Sequence, residues 1–172
     1  MAKRIMKEVI SWGIVIGIAI ILALLINRFV FYKVEVPSGS METTIMTGDK
    51  VFTYRLSYLF GYPKRGDIVV FPYPDNESID YIKRIIGLPG ETIEVMEGVI
   101  YIDNNPLEED YLFEPMDDEE FGPIVVPEES YFMMGDNRNT SMDSRSWRNP
   151  FVKKDKIKGK AIFKYPDFSW LN

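Results

Sequence analysis

The chain opens on an apolar run that nothing later in it repeats. Val9 to Ile26, VISWGIVIGIAIILALLI, is 18 residues without a charge. At helical rise that run covers ~27 Å, close to the ~30 Å hydrocarbon core of a bilayer. Phe29–Tyr32 can extend it. The pattern predicts a transmembrane anchor over residues 9–31 behind a short tail at 1–8. A cleavable targeting segment is the rival reading, but its apolar part is shorter, roughly 7–15 residues, and ends in a small-x-small site. Here the run ends in NRFVFYKVEV, which is bulky and charged. A buried soluble helix is the bland alternative, and it lacks polar residues for an outer face.

Beyond residue 33 the period changes. KVFTYRLSY (50–58), GDIVVFPYP (66–74), IDYIKRIIG (79–87), ESYFMMGD (129–136) and KIKGKAIFKY (156–165) are rich in β-branched and aromatic residues and read as strands. ETIEVMEGVIYIDNNPL (91–107) alternates apolar and polar, with turns expected at Glu97-Gly98 and Asn104-Asn105, a hairpin pattern. Residues 108–128 are acidic and punctuated by proline, and are expected to form a solvated surface insertion. The fold class is therefore mainly β: one N-terminal transmembrane helix, then an all-β, barrel-like or two-sheet domain over residues 32–172.

Charge refines the picture of partners. Residues 1–33 carry Lys3, Arg4, Lys7, Arg28 and Lys33 against Glu8, a net of +4, which leaves −10 on the rest of a chain whose total is −6. The basic end suits a membrane surface and places the N-terminus in the cytoplasm, with everything after residue 32 outside. The acidic body argues against nucleic acid, which rewards lysine and arginine.

The chain has no cysteine and no histidine. That excludes Ser-His-Asp and Cys-His hydrolases and leaves no ordinary zinc ligand set, so no metal or other cofactor is expected. Yet PSGSM displays two serines, Ser38 and Ser40, around a glycine. A serine hydroxyl is a poor nucleophile until a base takes its proton. A lysine can do so only if burial lowers its pKa from near ~10.4. Lys83, flanked by Tyr81, Ile82, Ile85 and Ile86, is the best-placed lysine for that. By alternation Tyr81, Lys83 and Ile85 share one face of a strand, and Ile82 and Arg84 the other. Periodicity alone favours the plainer alternative, an edge strand with a solvent-facing lysine.

Three stretches then change the weighting. PSGSM, YIKRIIGLPGE and GDNRNTSMDSR (135–145), in this order behind an N-terminal anchor, resemble the bacterial type I signal peptidases, in the compact single-span form of Gram-positive bacteria. The resemblance implies a membrane-anchored serine endopeptidase on the outer face of the cell membrane. Such an enzyme removes signal peptides from exported pre-proteins after a small-x-small pattern. It implies Ser40 as nucleophile, Lys83 as general base, and Ser38 with the Ser40 N–H as oxyanion donors. It also implies that Ser141 orients the lysine by a hydrogen bond. Arg84, Asp143 and Arg145 become a supporting ion cluster, with Gly135 and Asp136 in the turn that holds the third stretch. Substrate-pocket walls fall on Val34, Val36, Pro37, Asp80, Tyr81 and Ile82, with Met41 and Ile45. The implied partners are pre-proteins and the lipid bilayer, for a monomer. One departure stands out: the family's Ser-Met-x-Pro-Thr has Thr43 in place of proline here, which removes a backbone constraint but no catalytic group.

Two other readings compete. Self-cleaving Ser-Lys repressors share the related fold, but they are soluble, often with a DNA-binding part, which fits neither the anchor nor the acidic balance. A non-catalytic anchored β-domain fits the architecture, with Thr43 its only encouragement and intact Ser38, Ser40, Lys83 and Ser141 against it.

Overall fold

In a computed structural model, residues 2–171 are described. A single α-helix, α1 (Ala2–Phe29), leads into twelve strands among the described residues. These are β1 (Phe31–Glu35), β2 (Lys50–Tyr54), β3 (Ile68–Tyr73), β4 (Asn76–Gly87), β5 (Thr92–Met96), β6 (Val99–Ile102), β7 (Asn105–Pro106), β8 (Phe121–Val125), β9 (Ser130–Met134), β10 (Phe151–Lys153), β11 (Gly159–Tyr165) and β12 (Ser169–Trp170). The chain is mainly β, as the alternation along it indicated.

Within α1, the 21-residue stretch Met6–Ile26 holds an 18-residue window of mean hydropathy 2.9 that the rest of the chain leaves uncovered. That is long and apolar enough to cross a bilayer, at ~1.5 Å per residue. A core helix of a soluble protein would instead be covered. The helix stops at Phe29, and Phe31 and Tyr32 belong to β1 rather than to an extension of the apolar run.

The strands form two antiparallel sheets. The larger runs β1-β2-β11-β3-β4-β9-β10, with β12 on β11, and the smaller β7-β6-β5-β8. β3 is continuously apolar because both its faces are covered, and its first five residues are buried. The hairpin turns follow from backbone freedom. Glu97 (φ 49) and Gly98 (φ 72) take the left-handed pair that a tight hairpin needs. The second turn sits one residue earlier than its Asn-Asn pair suggested, at Asp103 (φ 50) and Asn104 (φ 66).

Residues 108–128 differ from the expectation of a solvated insertion. They supply β8, which pairs with β5 as an edge of the smaller sheet, and they bury Met116 and Val126 in its core. Composition misleads here because the acidic residues find arginines: Glu109 pairs with Arg138 and Glu119 with Arg145, each at 2.5 Å.

β4 positions the site. From Arg84 to Gly87 it pairs with β9, and Arg84 alone is flanked by both β3 and β9. Its first half pairs with β3 alone, since the β9 register starts at Arg84↔Met134. Ile79 to Lys83 therefore leave one strand edge open, facing the region where β1 hands over to the PSGSM turn.

Candidate active site

Ser40 sits on a single 3-10 turn, Gly39–Met41, between β1 and β2. Apolar packing fixes that turn: Met41 and Ile45 are fully buried with Val36, Val51, Ile68 and Ile82. Backbone bonds close it, Glu42 N donating to Gly39 O at 3.1 Å and Ile45 N to Met41 O at 2.8 Å. Thr44 Oγ1 donates to Asp136 at 2.5 Å, so the turn is tied down although Thr43 stands where proline was expected.

Lys83 reaches this turn from β4. Its Nζ and Ser40 Oγ are hydrogen-bonded at 2.5 Å, and Ser38 Oγ lies 3.5 Å from Ser40 Oγ. Lys83 is 3% exposed, so the solvent-facing alternative is excluded. Burial pushes its pKa down to about 8; Asp143 and Asp136 pull the other way, and Arg145 adds to the lowering. The surroundings are aromatic on the Tyr81 side, where Nζ stands 5.4 Å from the ring centroid. Tyr81 stacks on Tyr73 at 4.7 Å and touches Trp147 at 5.9 Å, which extends the water-poor wall.

Arg84, the next residue along, points to a different environment. Its Nε and Nη2 donate to the two oxygens of Asp136 at 2.8 and 2.7 Å, and its guanidinium lies 3.9 Å over Tyr111. Burial works against that charge, but Asp136 outweighs it and the pKa is raised. Asp143 takes Arg145 Nε and Nη2, both at 2.9 Å, and the Gly135 N–H at 3.1 Å. The residues expected to support the site are thus brought together, in two ion pairs. Gly135 is required sterically: a Cβ there would lie 2.3 Å from both Ser40 O and Ser141 Oγ.

Other expected roles are met unevenly. Val34, Pro37, Asp80, Tyr81 and Ile82 line a cavity of about 370 Å³ that also holds Ser38, Ser40 and Lys83. Val36, Met41 and Ile45, expected on its walls, lie instead in the core cluster behind it, at 1%, 0% and 0% exposure. They shape the pocket through Val34 and Ile82, which touch both cluster and cavity. Ser141 Oγ is buried without a hydrogen-bond partner, so the expected bond to Lys83 is not made. Sequence reasoning did not single out Ile79, Thr140 and Met142 on the cavity lining, nor Asn137, whose side-chain amide donates to Gly39 O at 3.1 Å. Asn137, Thr140 and Met142 lie inside the GDNRNTSMDSR stretch, and that proximity was the only signal available.

Chemically, a hydroxyl bonded to an amine of lowered pKa can lose its proton and attack a carbonyl without any histidine. Comparison with known proteins agrees. The family described as signal peptidase, peptidase S26, matches residues 9–166. Signal peptidase I of Bacillus licheniformis is 38% identical over 172 residues, 95% of this chain and 91% of that protein. Signal peptidase I of Leptolyngbya laminosa is 41% identical over 157 residues, 87% of this chain and 76% of that protein. A crystal structure of a signal peptidase I from Enterococcus faecalis V583 superposes with a TM-score of 0.50 at 38% identity, covering 57% of this chain and 95% of that one. The fold and the comparisons define a serine peptidase. This chain belongs to the signal peptidase family, peptidase S26.

Proposed function

We propose that this chain removes signal peptides from exported pre-proteins, with Ser40 as nucleophile and Lys83 as general base. Neutral Lys83 Nζ takes the Ser40 proton as Oγ attacks the scissile carbonyl. Ser38 Oγ and the Ser40 N–H hold the oxyanion, and the lysine, now charged, returns its proton to the leaving amine. Water then hydrolyses the acyl-enzyme by the same base. The 2.5 Å contact between Lys83 Nζ and Ser40 Oγ, on the wall of an apolar cavity, is the observation that carries this reading.

The substrate lies extended against the open edge of β4 at Ile79–Lys83 and the Val34–Ser38 segment, adding a strand to them. Its small side chains enter a cavity walled by Val34, Tyr81 and Ile82. α1 anchors the enzyme with its N-terminus in the cytoplasm and the β domain on the outer face of the cell membrane, following its basic start. Two exposed apolar groups give the domain its own contact with lipid: Leu59, Phe60 and Tyr62 in the loop after β2, and Phe168 and Trp170 at the β11–β12 hairpin. The loop begins beside the end of α1, where Arg55 N donates to Val30 O at 2.9 Å.

Incubating a pre-protein with the full-length enzyme and with its Lys83→Ala form tests the proposal. Wild type is expected to release the mature chain at a small-x-small boundary, and the variant to release none. Cleavage by both at the same rate would end the assignment.

A further inference from the structure

We propose that Asn137 is a positioning residue for the oxyanion hole, clamping the one peptide group whose N–H is the backbone donor. The proposal rests on the reading of Ser40 as nucleophile. The geometry is specific. Asn137 Nδ2 donates to Gly39 O at 3.1 Å, and Asn137 N donates to Ser40 O at 3.1 Å. Gly39 C=O and Ser40 N–H belong to the same peptide unit. That unit is planar and trans, so its carbonyl and its N–H point in opposite directions. Holding Gly39 O from one side therefore directs the Ser40 N–H to the other. The Asn137 backbone bond holds the next carbonyl as well, so neither end of Ser40 is left to rotate.

The clamp answers a weakness in the local sequence. Gly39 separates Ser38 from Ser40, and glycine leaves the adjoining peptide freer to turn than any other residue would. The 3-10 turn supplies one restraint through Glu42 N to Gly39 O, and Asn137 supplies a second on the same oxygen. Two donors on one carbonyl also polarise the amide, which makes its N–H a better donor to a developing oxyanion. Asn137 is itself rigidly placed, being 6% exposed. Asp136 before it holds Arg84 and Thr44, and Arg138 after it donates to Gly135 O at 3.0 Å and pairs with Glu109. The amide supplies the donor that the Gly39 carbonyl takes: alanine offers none, and a carboxylate would set an acceptor against that carbonyl.

The test compares full-length wild type with Asn137→Ala, Asn137→Asp and Ser40→Ala on a signal-peptide substrate. Inhibition by a peptide boronic acid ending in alanine, which forms a tetrahedral adduct on the serine, is measured alongside. Asn137→Ala is expected to lower kcat by about 10- to 100-fold, short of the ~10²–10³ lost with an oxyanion donor itself. KM should change little, and boronate affinity should fall in step with kcat/KM. Asn137→Asp, nearly isosteric, should do the same or worse and keeps the test valid if the alanine variant does not fold. The pH limb belonging to Lys83 should stay in place in Asn137→Ala, whereas general loosening of the site would move it; the added carboxylate of Asn137→Asp should shift it upward. A kcat within twofold of wild type in Asn137→Asp, or a loss confined to KM, would overturn the proposal. Activity surviving in Ser40→Ala would instead overturn the nucleophile assignment on which it rests.

Discussion

Lys83 and Arg84 are neighbours on β4, equally hidden at 3% and 4% exposure, and the chain treats them oppositely. Arg84 faces a carboxylate that takes two of its N–H groups, so its charge is secured. Lys83 faces a serine hydroxyl and the Tyr81 ring, with the nearest opposing charges acting only at longer range, so its proton is loosely held. One strand thus carries a permanent cation on one face and a titrating base on the other. Burial alone does not set a cation's state; what fills its coordination does. The β alternation places these two environments one residue apart and keeps the supporting charge from settling on the base.

The comparison breaks most completely at Lys83. Replacing Lys83 by alanine removes the proposed base, and Lys83→Arg puts a second permanent cation where the proposed mechanism needs a neutral amine. Both are expected to abolish cleavage in a pre-protein assay, with folding checked by circular dichroism. Ser38→Ala comes next. It should cost ~10²–10³ in kcat with KM little changed, because an oxyanion donor acts mainly in the transition state. A loss confined to KM would move Ser38 to the pocket wall.

On the Arg84 face the expected damage is to stability. Asp136→Ala strands a buried guanidinium, and breaking such a pair costs ~3–5 kcal/mol. Denaturant unfolding would show it, and an unchanged midpoint would mean that Arg84 has found another partner. A smaller effect of opposite sign is expected from Lys83→Met, which replaces a poorly solvated amine by a side chain of similar shape. With the folded pKa near 8 and the unfolded one higher, wild type bears the full cost of burying a charged lysine below pH 8. That cost is relieved as pH rises through the window between the two values. The variant should therefore be the more stable form at pH 7, by roughly 3 kcal/mol, and the gap should close above pH ~10.5. A gap independent of pH would assign the gain to packing instead.

How much of this could be read from the chain follows the same division. The apolar run, the strands around residues 50, 70 and 82, and the β5–β6 hairpin were legible because their period and turn residues are local properties. Ser40 and Lys83 were legible through the resemblance, and the absence of histidine narrowed the chemistry independently. Periodicity favoured a solvent-facing Lys83, since nothing local reveals that the PSGSM turn comes to lie against it. Val36, Met41 and Ile45 looked like pocket wall because they flank the serine, but side chains adjacent in sequence turn to the core as readily as to the cavity. The acidic segment hid its partners for a related reason: Arg138 and Arg145 lie about 26–29 residues away in sequence. Ser141 met its expected neighbourhood without its expected bond.

The dependence of kcat/KM on pH tests the base assignment most directly, because it reports the protonation of the unliganded enzyme. Lys83 must be neutral to accept the Ser40 proton, so activity should climb with pH and reach half its plateau near pH 8, where burial has brought the amine. Ile82→Asn, by wetting the cavity wall, should move that limb upward. A limb near pH 4 with a flat response from neutrality upward would point to a carboxylate base, and Lys83 would lose its role.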